Sequence, residues 1–265
     1  MSLLGELRRI SSEYAFRQTK KLSQNFLIDE RVLKREAGYA NATNKSLLEI
    51  GPGFGFLTKE LANCGPKSIT LIEKDPQLIP ILEKELASRK ITLINSDFLK
   101  WQSGSFFDVV ISNVPYSISS PLLFHLTNFR FSRAILCLQK EFVARLLAKP
   151  GTKDYSRLSV TSQAAFSIRL LEKVPHSAFH PIPQVDSAII ELIPTGKKLD
   201  ARTALLIQLL FQHRKKTLRA ALSDSAEQLG ITKENARKTA EKSGLSDRRV
   251  FTLTKEEFAT LAYVF

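Results

Sequence analysis

Short apolar runs alternate with helix-like patterns through the first half of the chain. Each run has the length of one buried strand, and the segments between carry apolar residues three and four positions apart, the spacing of a helix face. This alternation predicts βαβ units and a mostly parallel sheet that helices cover on both faces. The expected strands are SLLEI (46–50), SITLIE (68–73), ITLIN (91–95), FDVVIS (107–112) and AILCLQ (134–139), with helices expected over 56–64, 76–88 and 119–129.

The pattern continues differently after residue 139. A helix is expected over 141–149, a polar loop over 150–157, and two further apolar runs at 167–174 and 187–193. The connection between these two runs is too short for a helical crossover. We therefore expect them to form an antiparallel pair that closes the sheet.

A segment rich in glycine, proline and charge, residues 193–201, predicts a linker, and only helical patterns follow it. We predict an α/β domain over residues 1–195, including a basic N-terminal extension, and a small all-helical domain over residues 196–265. From residue 201 onward the chain has 12 Lys and Arg against 7 Asp and Glu, a net charge of +5.

The charge of the whole chain narrows its class of partner. The 265 residues include 39 Lys and Arg against 26 Asp and Glu, a formal net charge of +13. A field of this sign favours polyanions, of which nucleic acid is the commonest, although an anionic membrane surface would also be attracted.

Other compositional features argue against several kinds of site. Cys64 and Cys137 are far apart and form no C-x-x-C pair, which argues against zinc and a disulfide framework. No apolar run has the length of a membrane span, and the N-terminus lacks a targeting pattern. We expect a cytoplasmic protein that binds no metal and no membrane.

A glycine-rich turn follows the first predicted strand, in the sequence Glu49-Ile50-Gly51-Pro52-Gly53-Phe54-Gly55. Glycines there let the backbone turn tightly and approach a ligand. Glu73 ends the next strand, where it could accept hydrogen bonds from ribose hydroxyls, and Asp97 follows the third, where it could bind an adenine amino group. The set predicts a nucleoside site; the alternative is that the glycines only shape a turn and the acids cap helices.

A second motif, Asn113-Val114-Pro115-Tyr116, follows the fourth predicted strand. An aromatic amine is a poor nucleophile because its lone pair is delocalised. The Asn113 amide oxygen and the Val114 carbonyl could accept its two hydrogens and free that lone pair, while Tyr116 offers a stacking face for an extruded base. Pro115 restricts the turn. The alternative is a strand-ending turn with a core tyrosine.

These motifs together resemble the KsgA/Dim family of small-subunit rRNA adenine N6,N6-dimethyltransferases. The resemblance runs from about Lys21 to the C-terminus. Each motif alone is loosely defined, but six of them in the family's order and at natural spacing make the match specific. The motifs are Gln24-Asn25-Phe26-Leu27, EIGPGFGFLT (49–58), Glu73, SDFL (96–99), NVPYSISSPLLF (113–124) and FHPIPQVDSAIIEL (179–192).

The resemblance implies a fold, a reaction and a set of site residues. The implied fold is a Rossmann-like methyltransferase sheet with a small C-terminal helical domain. The implied reaction transfers methyl groups from S-adenosylmethionine, with S-adenosylhomocysteine as product, to two adjacent adenines in a hairpin near the 3′ end of small-subunit rRNA during ribosome biogenesis. The implied cofactor contacts are Gln24, Asn25, Leu27, Gly51, Gly53, Glu73, Asp97 and Asn113. The implied base site is Asn113, Val114, Pro115, Tyr116 and Phe179, where Val114 replaces a frequent leucine.

A basic stretch, QHRKKTLR (212–219), lies in the C-terminal part on a predicted helix. The family often carries a similar stretch that faces RNA, and phosphate contacts would give salt-dependent affinity. The alternative is a solvated helix face. The expected RNA-binding residues are Lys20, Lys21, His213, Arg214, Lys215, Lys216 and Arg219.

Three other functions remain to be weighed. A 23S rRNA adenine methyltransferase shares the Q-N-F and N-x-P-Y motifs, but its first motif usually runs closer to G-S-G-K-G-H-F-T. A nucleic-acid-binding protein without catalysis would be expected to lose Glu73, Asp97 or Asn113, all of which are present. A DNA adenine methyltransferase usually has a D/N-P-P-Y motif and a target-recognition region. We expect a monomeric enzyme acting on small-subunit rRNA or the assembling small subunit.

Overall fold

The computed structural model describes residues 2–18, 24–87, 91–197 and 199–264. No helix among these residues is long and apolar enough to cross a bilayer. The strands are β1 (Phe26–Leu27), β2 (Ser46–Ile50), β3 (Ser68–Glu73), β4 (Ile91–Asn95), β5 (Phe106–Asn113), β6 (Arg130–Gln139), β7 (Phe166–Val174), β8 (Phe179–His180) and β9 (Ser187–Pro194). The helices are α1 (Leu3–Glu13), α2 (Glu30–Ala40), α3 (Phe56–Asn63), α4 (Ile79–Glu85), α5 (Ser119–His125), α6 (Lys140–Leu147), α7 (Arg157–Ala165), α8 (Ala201–Gln212), α9 (Leu218–Asp224), α10 (Lys233–Lys242) and α11 (Lys255–Val264).

Seven strands form one sheet in the order β4-β3-β2-β5-β6-β9-β7. The first five of these strands pair in parallel, and β9 runs antiparallel to β6. Residues 47–50 and 109–112 are continuously buried, as expected for parallel strands covered on both faces. The predicted α/β sheet is therefore confirmed, and β9 and β7 extend it beyond the parallel strands.

A second, two-stranded sheet was not expected from the sequence. Here β1 pairs antiparallel with β8, so that Phe26 lies opposite His180 and Leu27 lies opposite Phe179. The amide of Ile28 also donates to the carbonyl of Ala178 at 2.8 Å. This pairing brings the Gln24–Leu27 motif beside the start of the 179–192 motif, although more than 150 residues separate them in the chain.

The chain divides into two compact units. The sheet unit comprises Met1–Val143 and Arg169–Pro194, and the helical unit comprises Ala144–Ile168 and Thr195–Phe265. Residues 144–168 therefore belong with the helices, whereas the sequence division placed them in the first domain. The physical reason is packing: α7 lies against α8 and α11, and the buried Tyr155 donates its hydroxyl hydrogen to the carbonyl of Leu253 at 2.8 Å.

Some predicted element bounds were wrong for local reasons. The helix expected from Pro76 begins at Ile79, because residues 76–78 form a turn whose Leu78 amide bonds to the carbonyl of Asp75. The polar loop expected over 150–157 ends one residue earlier, at Ser156, after which α7, a helix that was not predicted, begins. There the hydroxyl of Ser159 accepts from the Ser156 amide at 2.9 Å, one half of a capping box.

Candidate active site

A cavity opens at the carboxyl ends of the parallel strands. It lies beside β2, where the order of the sheet reverses, since β3 pairs with one edge of this strand and β5 with the other. Such a switch point is the usual ligand position in an open α/β sheet. The lining includes every residue expected to contact cofactor or base, all within the sheet unit: Gln24, Asn25, Leu27, Gly51, Gly53, Glu73, Asp97, Asn113, Val114, Pro115, Tyr116 and Phe179.

Two glycines form the cavity wall after β2. Gly51 has φ of +69°, and a Cβ atom built there would meet nothing within 4 Å, so the backbone is left open to the cavity. Gly53 has φ of +59°, and a Cβ atom there would lie 3.0 Å from the Phe26 ring. L-residues rarely adopt this backbone conformation, so both positions favour glycine.

Glu73 ends β3 with its side chain held by backbone amides. Its Oε2 accepts from the Gly53 amide at 3.2 Å, and its Oε1 accepts from the Asp75 amide at 2.8 Å. Burial raises the pKa of Glu73 to about 7, although these two hydrogen bonds act to lower it. The carboxyl group is thus fixed in place while lining the cavity.

Asp75 is a site residue that the sequence analysis did not single out. It is 2% exposed, and its Oδ2 accepts from the Gln24 side-chain amide at 2.8 Å. Its backbone amide is the one that bonds to Glu73. Asp75 therefore links the Gln24–Leu27 motif to Glu73 at the end of β3; the available signal in the sequence was a second acid two residues after Glu73.

Asp97 follows β4 and forms the other acidic side of the cavity. Its Oδ1 accepts from the Leu99 amide at 3.0 Å, and its Oδ2 lies 2.9 Å from the Lys74 ammonium. Burial acts to raise the pKa of Asp97, but Lys74 and the Leu99 amide outweigh it and hold the pKa below its usual value. The side chain is therefore an anion at neutral pH, with lone pairs left for a further donor.

Asn113 is the last residue of β5, and its side chain lines the cavity. Its Oδ1 is buried and has no hydrogen-bond partner within the described residues. The next residue, Val114, is fixed by its amide, which donates to the Cys137 carbonyl at 3.1 Å. A buried acceptor without a partner is costly, so this oxygen is suited to an incoming donor.

Two aromatic residues line the same cavity in different environments. The Tyr116 hydroxyl lies 2.7 Å from the Ser187 hydroxyl, which fixes the ring, and burial raises the pKa of Tyr116. Phe179 is only 3% exposed and belongs to the main hydrophobic core. The sequence analysis gave Tyr116 a stacking face and included Phe179 in the base site implied by the resemblance, and the structure leaves more of Tyr116 than of Phe179 accessible.

Two more carboxyl groups are buried near the cavity floor. Glu49, at the end of β2, accepts from the Thr58 hydroxyl at 2.7 Å, and Glu36 projects from α2 with no exposed surface. Burial raises the pKa of each to about 8. Glu36 gave no signal in the sequence, where it is one of several charged residues between positions 29 and 36.

Known proteins resemble this chain over most of its length. A family model described as ribosomal RNA adenine dimethylase matches residues 15–262. The chain belongs to this family. A relative from Thermococcus sibiricus, named "Probable ribosomal RNA small subunit methyltransferase A", is 44% identical over 253 residues, covering 93% of this chain and 91% of its own. The predicted family is confirmed.

Solved structures place this dimethylase-family chain among methyltransferases. The crystal structure of a dimethyladenosine transferase from Plasmodium falciparum has a TM-score of 0.80 at 28% identity and covers 89% of this chain and 95% of its own. The crystal structure of the 23S rRNA methyltransferase ErmE has a TM-score of 0.68 at 27% identity and covers 91% and 99%. Both support the Rossmann-like methyltransferase fold, which is confirmed, and this chain is a methyltransferase that uses S-adenosylmethionine.

The basic stretch of this dimethylase-family chain is not the helix that we expected. Helix α8 ends at Gln212, and residues 213–217 form a turn before α9. Thr217 caps α9 by accepting from the Ala220 amide at 3.4 Å, and the Lys216 amide bonds to the His213 carbonyl at 2.8 Å. A threonine at this position favours a helix start, which divides the basic run between a turn and a helix.

Arg214 has its own partners within the helical unit. Its guanidinium donates to the carbonyls of Lys153 at 3.0 Å and Tyr155 at 3.1 Å and lies over the Phe251 ring. The Lys216 ammonium lies 2.7 Å from the Asp224 carboxylate, and Nδ1 of His213 lies 3.9 Å from the same carboxylate.

Lys215 and Arg219 are exposed and take part in no ion pair with another described residue. Of the expected RNA-binding residues, these two are the most available to an outside phosphate. Lys20 and Lys21 lie outside the described residues. No group of three or more His, Cys, Asp or Glu side chains in the described ranges is arranged to hold a metal ion.

Proposed function

We propose that this protein dimethylates the N6 atoms of two adjacent adenines in a hairpin near the 3′ end of small-subunit rRNA, as a step in ribosome biogenesis. The observation that carries the proposal is the buried Asn113 Oδ1, an acceptor with no partner among the described residues, on a residue that lines the same cavity as Glu73 and Asp97. A nucleoside cofactor and a target amine could therefore meet in one place.

The residues of the cavity fit S-adenosylmethionine. Glu73 suits the ribose hydroxyls, because its carboxyl group is immobilised beside the open backbone of Gly51. Asp97 suits the adenine amino group as an anionic acceptor. Gln24, Asn25, Leu27 and Gly53 would complete the cofactor contacts from β1 and the glycine turn. When bound, the cofactor supplies a methyl group on a positively charged sulfur.

Asn113 and Val114 would act on the target base. The Asn113 Oδ1 and the Val114 carbonyl accept the two N6 hydrogens, which favours a pyramidal nitrogen with an available lone pair. The Tyr116 ring, held by Ser187, stacks on the extruded adenine, and Phe179 closes the other side. Pro115 fixes the turn that carries these groups.

The protein then needs to position the N6 nitrogen and to exclude water from the cavity, and it does not need a strong acid or base. Once methylated, the N6 nitrogen carries a positive charge and becomes acidic, so water can take its proton. Catalysis is mostly orientation and desolvation in the partly buried cavity.

The test supplies small ribosomal subunits that lack dimethyladenosine with labelled S-adenosylmethionine and digests the RNA to nucleosides. We expect labelled N6,N6-dimethyladenosine from small-subunit rRNA alone. Large subunits serve as a second substrate, because the similarity to ErmE makes 23S rRNA the specific alternative. Label confined to large-subunit RNA, or no label in either, would contradict the proposal.

The variant Asn113→Ala is the catalytic control in the same assay. It should lose at least a hundredfold in kcat, because the acceptor that orients N6 is gone. Binding of S-adenosylhomocysteine, measured by calorimetry, should change by less than about fivefold. Near-normal turnover in this variant would remove Asn113 from the role assigned to it.

The proposal extends to partners and location. Lys215, Lys216 and Arg219, together with Lys20 and Lys21, would bind RNA phosphates beside His213 and Arg214, and the enzyme would act as a monomer in the cytoplasm. A fall in rRNA affinity with rising salt, and a single monomeric mass by light scattering, would test these points.

A further inference from the structure

Helix α2 buries one carboxyl group on an otherwise apolar face. The other buried residues of the helix are Val32, Leu33, Ala37 and Ala40, whereas Glu36 is 0% exposed. Neither carboxyl oxygen of Glu36 has a hydrogen-bond partner of normal geometry within the described residues. Burying a carboxyl group in this way is costly, so a role that needs it is worth seeking.

The neighbour of Glu36 on the cavity side is Asn113. Burial raises the pKa of Glu36 to about 8, and the Asn113 amide, a hydrogen-bonding neighbour, limits the rise. The Asn113 Oδ1 is likewise buried without a partner. Hydrogen bonds between functional groups often reach normal geometry only when substrate binds. We therefore expect the hydrogen bond between Asn113 and Glu36 to tighten in the substrate complex.

We infer that Glu36 is a positioning residue that accepts a hydrogen bond from Asn113 Nδ2 and so aims Asn113 Oδ1 at the amine of the target adenine. The inference rests on the proposed function, since it gives Asn113 the task of orienting N6. Glu36 itself does not line the cavity and touches neither substrate nor cofactor.

The chemistry of a side-chain amide explains why such a residue is needed. One end of the Asn113 amide donates and the other accepts, and the two ends have nearly the same shape. With the amide reversed, its NH2 group would face the NH2 group of adenine and repel it. Above its raised pKa the Glu36 carboxylate can only accept, so it then selects the orientation that presents oxygen to the base.

The charge of Glu36 also suits the reaction. Positive charge appears on N6 as the methyl group is transferred, and a carboxylate behind Asn113 stabilises it in a site of low dielectric constant. The groups that face Glu36 come from three strands: Glu49 on β2, Cys137 on β6, and Glu172 on β7, which Arg35 pairs at 2.6 Å. Glu49 and Glu172 both raise the pKa of Glu36.

The test compares Glu36→Gln and Glu36→Leu with the wild type on hypomethylated small subunits. Glutamine keeps the shape but neither titrates nor selects one amide orientation, and leucine removes the acceptor. We expect Glu36→Leu to lose about a hundredfold in kcat, the scale of an ångström-sized misplacement. Affinity for S-adenosylhomocysteine should change by less than about threefold, which separates positioning from a collapse of the cofactor site.

The pH profile gives a readout that a purely structural role would not move. The ratio of wild-type to Glu36→Gln kcat/KM for S-adenosylmethionine should be near one at about pH 6 and rise several-fold with a midpoint near 8, as the carboxyl group ionises. The ratio cancels the titrations of groups that do not interact with Glu36. When the same ratio is measured with Glu172→Gln present in both proteins, its midpoint should move to lower pH. The reason is that a group that raises the pKa of Glu36 has been removed.

Two results would overturn the inference. One is wild-type kcat in Glu36→Leu; the other is a ratio of wild type to Glu36→Gln that stays constant across the pH range. Failure of the proposed function would look different, because the wild-type enzyme itself would then leave small-subunit rRNA unlabelled. If Glu36→Leu does not fold, the glutamine ratio and the Glu172→Gln shift still decide the matter.

Discussion

At the scale of the residue, Gly53 holds two parts of the cavity together. Its amide donates to Glu73, and its α-carbon leaves room for the Phe26 ring, which a Cβ atom would approach to 3.0 Å. Phe26 in turn packs edge-on against Phe54 with ring centroids 4.7 Å apart. Gly53 therefore joins the β1 motif to the acid of β3.

The substitution Gly53→Ala should damage both stability and cofactor binding. A positive φ and the contact with Phe26 together cost about 2 kcal/mol of unfolding free energy. A displaced amide would also loosen Glu73, so affinity for S-adenosylhomocysteine should fall at least tenfold. Chemical denaturation and calorimetry measure the two effects.

The matched control is Gly38→Ala, on the exposed side of α2, where a Cβ atom meets nothing within 4 Å. In an exposed helix interior this change should stabilise the protein by about 0.8 kcal/mol and leave cofactor binding unchanged. If both alanine variants behave alike, the geometry assigned to Gly53 is wrong.

Residues at strand ends were the ones that the sequence could predict. Gly51, Glu73, Asp97 and Asn113 each follow a strongly patterned strand, and parallel strands bring their carboxyl ends to one edge. Glu36 could not be predicted in the same way. It lies four residues from Val32 on a helix face, and nothing local distinguishes a buried glutamate there from a solvated one.

At the scale of the element, the turn of residues 213–217 holds one basic side chain against backbone carbonyls and leaves another exposed. Arg214 binds carbonyls of the segment before α7, whereas Lys215 is exposed and forms no ion pair with a described residue. Two adjacent basic residues in one motif thus have different environments, which a run of letters cannot reveal.

The pair Arg214→Ala and Lys215→Ala should therefore give opposite results. Arg214→Ala loses charge-assisted hydrogen bonds to backbone carbonyls, which should lower the unfolding free energy by about 2 kcal/mol. Lys215→Ala should change stability by less than about 0.5 kcal/mol. It should weaken rRNA binding and reduce the slope of log affinity against log salt by about 0.7 to 0.9.

Thermal melts and binding titrations at several salt concentrations measure this pair. Arg214→Lys is the control, since it keeps the charge without the planar fork and should still melt below wild type. Unchanged melting of Arg214→Ala would mean that its carbonyl contacts contribute nothing to the helical unit.

Elements of long-range origin escaped the sequence analysis. The strands β1 and β8 have two residues each, and more than 150 residues of the chain separate them. Two residues are too few to show a periodic pattern. The long strands of the sheet were predicted because each carries its own run of apolar residues in the sequence. The place of β9 between β6 and β7 was not predicted, because the short connection indicated only that the runs at 167–174 and 187–193 pair with each other.

At the scale of the whole molecule, a basic chain buries several carboxyl groups in its sheet unit. The chain has a net charge of +13, yet Glu36, Glu49 and Glu73 are buried around one cavity. Burial raises the pKa of Glu36 and Glu49 to about 8 and that of Glu73 to about 7, against 4.5 as the ordinary value.

These shifts predict how stability depends on pH. Because each folded-state pKa lies above its unfolded value, the native state binds more protons than the unfolded state between about pH 4.5 and 8. Stability is therefore greatest near the low end of that window and falls as pH rises through it. We expect the melting temperature of the protein without added ligand to fall by several degrees between about pH 5.5 and 8.5.

The variant Glu36→Gln isolates one contribution to this fall. At about pH 5.5 the wild-type carboxyl is protonated and neutral like the amide, so the two proteins should differ least in melting temperature there. Near pH 8.5 the wild type carries a buried charge that the variant lacks, so the variant should gain relative to it. Asp97 cannot produce this trend, because its lowered pKa makes its contribution change below the window. A melting temperature that rises toward pH 8.5, or a constant difference between variant and wild type, would show that the buried carboxyl groups ionise at ordinary pH.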